Sequence, residues 1–106
     1  MIIGAYTLLI HLPLAHSLKD KRQVLRRVKD RLRAHHNVSV AEVGDHASLW
    51  QRAELVVVSV ASTQDALVRL FEAVHAAVEQ LVPGQVIETG SDFIESAGGG
   101  WSEEAP

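Results

Sequence analysis

Two apolar segments, each followed by a helix pattern, limit the folds that this chain can adopt. Residues 2–12 are apolar at nearly every position, and residues 50–61 have the sequence LVVVSV at their centre. Continuous rather than alternating apolar residues are typical of strands that are covered on both faces. We therefore expect these two segments to form the central strands of a sheet.

Both helix patterns begin with the spacing Ser-x-x-Asp, which favours a helix N-terminus. Ser17 starts a helix that should end near His35 or His36, with Asn37 in the left-handed conformation that closes many helices. Ser62 starts a second helix, which Pro83 and Gly84 should end. Apolar residues recur at three- and four-residue spacing in both: Leu18, Leu25, Val28 and Leu32, with Val24 at the margin, and Leu67, Leu70, Phe71, Val74, Val78 and Leu81.

Two shorter strand patterns complete the order of elements. They cover residues 38–43 and 86–93, and residues 44–48 form a hairpin-loop pattern. The order β-α-β-β-α-β predicts an α+β, ferredoxin-like fold, in which two helices cover one face of a four-stranded antiparallel sheet. We expect one domain over residues 1–95, followed by a flexible, acidic and glycine-rich tail over residues 96–106.

Composition excludes several classes of protein. The 106 residues include no cysteine, which rules out disulfides, thiol catalysis and thiolate metal sites. No apolar run approaches the roughly 18 residues of a membrane span. The N-terminal segment lacks the basic residues and the small-residue cleavage site of a signal peptide, so we interpret it as a strand.

Basic residues are concentrated in residues 17–36. This segment holds eight of the ten lysines and arginines and only two acids, so its net charge is about +6, while the rest of the chain is acidic. On a helix, five of the eight share an arc of roughly 80°. Three basic residues also lie in the first turn, where the helix end is already positive, as an anion site requires. The predicted anion- or RNA-binding residues are Lys19, Lys21, Arg22, Arg26, Lys29 and Arg33.

Lys21 differs from the rest of this set because it projects into the apolar arc of the helix. The alternative to anion binding is a solvated helix face, whose charges pair with Asp20, Asp30, the acidic remainder of the chain or a neighbouring subunit. The sequence alone leaves both interpretations open.

Trp50 and Arg52 open the third strand, and a tryptophan beside an arginine is a candidate for stacking on a nucleobase. The alternative is that Trp50 packs over the sheet edge or in a dimer contact. The six histidines have no metal-binding spacing, and no catalytic motif is present. The sequence therefore predicts no catalytic residue, metal or cofactor.

Four segments carry a resemblance to a known family: IIGAYTLLIHLP, HSLKDKRQVLRRVKDRLR, NVSVAEV and LWQRAELVVVSVAS. Together they resemble the YlxP-like family of small bacterial proteins of unknown function, over roughly residues 1 to 90. The resemblance implies a ferredoxin-like fold and a cytoplasmic bacterial protein. Since the family is often encoded near translation-initiation and ribosome-maturation factors, it also implies a link to RNA. It supplies no catalytic residues.

Two classes of function follow from these observations. The first is a non-enzymatic protein that binds RNA or a ribosome-associated partner through the basic helix. The second is an interaction or regulatory module that binds a small anionic metabolite or another protein.

We also expect a homodimer, because the first strand is apolar on both faces while the helices cover only one. Its two sets of apolar residues are Ile3, Ala5 and Leu9 on one face, and Ile2, Tyr6, Leu8 and Ile10 on the other.

Overall fold

The computed structural model describes residues 1–44 and 49–95. The elements are β1 (Ile2–His11), α1 (Leu18–His35), β2 (Ser39–Val43), β3 (Arg52–Ala61), α2 (Gln64–Leu81) and β4 (Val86–Glu95). All neighbouring strands are antiparallel, in the order β2-β3-β1-β4. The predicted ferredoxin-like fold and the central position of the two most apolar strands are confirmed. Most of the predicted hairpin loop and the predicted flexible tail lie outside the described residues.

Alternation along the central strands places one set of side chains under the helices. Leu8 and Ile10 on β1 are fully buried, and so are Leu55 and Val57 on β3. Leu8 lies directly opposite Leu55 in the register of the two strands. The intervening residues point to the other face, which neither α1 nor α2 covers. We call this face the open sheet face.

The start of α1 agrees with the sequence, whereas the start of α2 is shifted by one residue. Ser17 Oγ accepts a hydrogen bond from the N–H of Asp20 at 3.1 Å. In α2 the cap is Thr63, whose Oγ1 accepts from the N–H of Ala66 at 3.2 Å, so the prediction of Ser62 is wrong. Only Ser62 has an aspartate three residues later, but the neighbouring Thr63 also carries a hydroxyl and caps the helix, which places Asp65 in the first turn.

The predicted left-handed conformation at Asn37 is also wrong. Among the described residues, only glycines have positive φ. The residue that caps the C-terminal end of α1 is His36, which has an extended backbone and donates its N–H to the carbonyl of Leu32 at 2.9 Å. The buried Ser59 donates its Oγ–H to the carbonyl of Asn37 at 2.7 Å. This bond holds the connection close to β3, and the chain enters β2 directly.

The core lies between the sheet and both helices, with a smaller cluster near the start of β1. Ile2, Leu67 and Phe71 form that smaller cluster, and the ring of Phe71 stacks on Tyr6 with centroids 5.2 Å apart. Gly4 lies beneath it, since a Cβ built there would be 3.0 Å from atoms of both Leu67 and Phe71. The strand needs glycine at this position so that α2 can approach.

We predict that Gly4→Val destabilises the protein by about 1–3 kcal/mol, because the added methyl groups overpack this cluster. The matched control is Gly90→Val on β4, where a Cβ would have no neighbour within 4 Å. The control shares the replacement of a strand glycine without the overpacking, so it should be unchanged or more stable by up to about 1 kcal/mol. Urea unfolding of both variants measures the difference, and equal losses would contradict the packing described for Gly4.

Candidate anion-binding site

Basic side chains of α1 line an open groove of about 500 Å³ beside β2, which is an edge strand of the sheet. We call it the basic groove. Four cationic residues, at successive spacings of four, three and four, form one row along the helix because residues three and four apart are neighbours. The charged residues that line the groove are Arg22, Arg26, Lys29, Asp30, Arg33 and Glu42.

Most of the cations in this row have no acidic partner. In the described part of the chain, no carboxylate oxygen lies within 4.0 Å of the side-chain nitrogens of Arg22, Arg26 or Lys29. Asp20 instead accepts a hydrogen bond from the N–H of His16 at 3.0 Å. The alternative interpretation includes pairing with Asp20 and Asp30, but neither aspartate forms an ion pair with Arg22, Arg26 or Lys29. The groove therefore has an excess of positive charge.

Arg33, the last residue of the row, and Lys19, which precedes the row, differ in their surroundings. Arg33 donates from Nη2 to the carbonyl of Val40 at 2.8 Å, which holds its guanidinium against β2. Lys19 is exposed in the first turn of α1, within the same arc but outside the groove lining. Five of the six predicted residues therefore lie on one flank of α1.

Lys21, the sixth predicted residue, is buried. Its relative exposure is 1%, and its Nζ lies 2.7 Å from Oε2 of Glu42. Nζ also donates to the carbonyl of Leu49 at 2.8 Å. Lys21 and Glu42 form an ion pair, but the angles of their contact are not those of a hydrogen bond. Oε2 of Glu42 accepts no hydrogen bond from any described residue. The ammonium joins α1, β2 and the segment before β3, so its role is structural and we leave Lys21 out of the anion-binding surface.

Trp50 is half exposed on a well-anchored segment. Together with His11, Leu49, Gln51 and Arg52 it lines a shallow cavity of about 420 Å³. The carbonyl of Gln51 accepts from the N–H of Leu12 at 2.9 Å, and Gln51 Nε2 lies 3.3 Å from the carbonyl oxygens of Pro13 and Ala15. The half-exposed indole therefore lies next to a backbone that these hydrogen bonds hold in place. Stacking on a base stays a prediction.

A further pocket, which the sequence did not reveal, lies between α2 and β4. We call it the aromatic pocket; its volume is about 370 Å³, and its lining residues are Tyr6, Val68, Phe71, Glu72, His75, Ser91 and Phe93.

A chain of polar contacts runs along one side of the aromatic pocket. Tyr6 Oη and His75 Nδ1 are 3.0 Å apart, and His75 Nε2 lies 3.7 Å from Oε1 of Glu79. The other oxygen of Glu79 accepts from the N–H of Gly84 at 3.1 Å. The only local signal in the sequence is the four-residue spacing of His75 and Glu79, because Tyr6 lies 69 residues from His75.

Among residues 1–44 and 49–95, no group of three histidine, aspartate or glutamate side chains is placed to hold a metal ion. None of the helices in this part of the chain has the length and apolar character needed to cross a membrane.

Comparison with known proteins gives one family match and one curated relative. A family model described as "Protein of unknown function (DUF503)" matches residues 3–90. The uncharacterized protein YlxP of Bacillus subtilis (strain 168) is 40% identical over 50 residues, which are 47% of this chain and 53% of that protein. The match thus spans about half the length of that relative.

Two solved structures show a similar fold. The de novo designed protein Foldit4 has a TM-score of 0.52 at 10% identity, covering 90% of this chain and 97% of its own. The de novo designed ferredoxin-fold protein LFR1 1 has a TM-score of 0.50 at 14% identity, covering 100% and 96%. At these identities the similarity concerns the fold alone.

We predict that Lys21→Met destabilises the protein by about 3 kcal/mol, because it leaves the carboxylate of Glu42 without its partner. This is the low end of the usual range, since the Glu42 side chain is 23% exposed. Adding Glu42→Leu should recover most of the loss, because apolar side chains then replace both charges. Lys19→Met, on the exposed side of the same helix, is the control. Urea unfolding should leave the control unchanged, and an equal loss in both single variants would contradict the role of the buried pair.

Proposed function

This chain belongs to the DUF503 family of proteins of unknown function, and we propose that it binds RNA, in a ribosomal context, through the basic groove. One observation carries the proposal: four cationic side chains share the groove, and none of the four has a carboxylate oxygen within 4.0 Å among the described residues. In this proposal the protein is a cytoplasmic binding protein and not an enzyme.

The chemistry of the groove suits a phosphate backbone. Three of its four cations are arginines, and the planar guanidinium makes bidentate contacts to phosphate that an ammonium cannot. Arg33 is held in place by the carbonyl of Val40, so binding costs it less conformational entropy. The chain as a whole has a net charge of −3, so its other surfaces should repel RNA and confine binding to this flank.

Trp50 and Arg52 would complete the surface. Lys21 binds the carbonyl of Leu49, the residue before Trp50, and the indole of Trp50 is half exposed. We assign the indole to stacking on an unpaired base of an RNA that extends beyond the groove, which is a sequence-tolerant contact. Arg52, exposed at the start of β3, adds a cation next to the indole.

We predict that the protein binds structured ribosomal RNA weakly at low salt, and that replacing Arg22, Arg26 and Lys29 with glutamine removes most of this binding. Log K falls as log salt concentration rises, and loss of three phosphate contacts should make this slope shallower by about 2 to 3. Fluorescence anisotropy of a labelled RNA at several salt concentrations measures both quantities. Trp50→Leu should weaken binding to an RNA with an unpaired flank more than binding to a blunt duplex.

The matched control replaces three exposed arginines outside the basic groove with glutamine: Arg27, Arg31 and Arg69. It removes the same net charge and should bind nearly as the parent does. The proposal is wrong if the parent fails to bind RNA at low salt, or if both triple variants lose affinity equally. A shallow salt dependence would instead favour the second class of function, binding of one small anion.

We further propose that two copies pair through the open sheet face. Val60 and Ile94 flank Ile3 in one row across three strands, and their exposed fractions are 54% and 66%. In the next row Val58 is 37% exposed beside Ala5, and Asp92 lies on the other side of Ala5 at the edge of the sheet. Apolar side chains in adjoining rows are typical of a surface that is covered by a partner. Two-fold pairing would also present two basic grooves to one RNA.

We predict that the parent protein sediments as a dimer at tens of micromolar and that Val60→Lys makes it monomeric, since the added charge would be buried in the interface. Leu14→Lys is the control, because Leu14 is 81% exposed and lies in the connection between β1 and α1. Analytical ultracentrifugation separates the two states. A monomeric parent at these concentrations would rule out the dimer.

A further inference from the structure

β4 is a long edge strand whose charged residues are all acidic. It has ten residues, of which only Val86 and Phe93 are not exposed, and it contains no lysine, arginine or proline. Proteins commonly protect edge strands with lysine, proline or a bulge. The one irregularity here lies near Val86, opposite the step from Leu9 to Ile10. The remaining length is open to pairing with another extended chain.

The flank around β4 is acidic. The strand itself carries Glu88, Asp92 and Glu95. On α2, acidic residues at a spacing of seven fall within an arc of about 40°, which places Asp65, Glu72 and Glu79 in one row along the helix. The only described ion pair among these six is that of Glu79 with His75. The surface therefore complements a positively charged partner.

The aromatic pocket supplies a binding place for individual side chains. Ser91 and Phe93 of β4 line it, so side chains on the corresponding face of an added strand would point toward it. Val68, Phe71 and Phe93 form apolar walls, Glu72 supplies a carboxylate, and no lysine or arginine lies in the lining. The aliphatic part of a lysine or arginine would pack against such walls while its charge reaches the carboxylate.

We propose that the flank formed by α2 and β4 binds an extended, lysine- and arginine-rich segment of another protein. The segment adds a strand to β4 and places one basic side chain in the aromatic pocket. A second copy of this chain is a poor occupant, because pairing two β4 strands brings their carboxylates together. RNA is repelled by the same charges. The proposal is therefore independent of RNA binding in the basic groove.

The test uses the full chain labelled with ¹⁵N and a peptide of alternating basic and valine residues, Lys-Val-Arg-Val-Lys-Val-Arg. Chemical shift changes should be confined to β4 and the aromatic pocket, and amides of β4 should gain protection from hydrogen exchange. Two control peptides replace either the basic residues with glutamate or the valines with proline. The first reverses the charge and the second cannot form a strand. Both should bind at least about tenfold more weakly, because each lacks one of the two recognition elements.

Variants locate the contact. Glu72→Gln should weaken binding of the basic peptide about threefold to fivefold, as expected for one partly exposed charge pair. Glu54→Gln removes the same charge from β3, which is separated from β4 by β1, and should bind as the parent does. Binding should persist when Arg22, Arg26 and Lys29 are glutamine.

Four results would overturn the proposal: equal binding of the glutamate or the proline peptide, shift changes away from β4, equal losses in the two glutamate variants, or shift changes of β4 that depend on protein concentration and persist in the Val60→Lys variant, whose open sheet face cannot pair. The last result would assign the edge to a second copy of this chain.

Discussion

The buried ion pair of Lys21 and Glu42 sets the relative positions of the elements that form the candidate site. A lysine ammonium in a core is costly unless it is paired and hydrogen-bonded. Here Glu42 supplies the opposite charge and the carbonyl of Leu49 a hydrogen bond. α1 carries the cations of the basic groove, β2 forms its other wall, and Leu49 precedes Trp50. One ammonium therefore ties the helix of the basic groove both to the edge strand and to the segment that leads into β3.

The two halves of the fold provide similar grooves with opposite chemistry. Each β-α-β unit packs its helix beside an edge strand, α1 beside β2 and α2 beside β4. The first groove is lined by four cations, whereas the second is aromatic and acidic. The uneven distribution of charge along the sequence thus becomes a separation of charge across the molecule. Such a dipolar protein orients toward an anionic surface before contact and presents its acidic flank on the opposite side.

The sequence predicts the fold well because strand and helix patterns differ in period, and each element shows one period clearly. The row from Arg22 to Arg33 was also predictable, since it depends only on spacing within one helix. The partner of Lys21 was not, because it depends on strand register: Glu42 faces the helices only because it lies opposite Leu55. The pairing of Tyr6 with His75 depends on the tertiary fold in the same way.

The two edges of the sheet differ in how much they offer a partner strand. β2 has five residues, and Arg33 already occupies the carbonyl of Val40, so little free backbone remains there. β4 has ten residues, and nothing comparable covers its edge in the described part of the chain. A strand added at β4 would leave both the basic groove and the open sheet face accessible. RNA, a second copy and a basic segment would then occupy separate surfaces, so binding of one need not displace another. A dimer built in this way could hold two basic segments against one RNA.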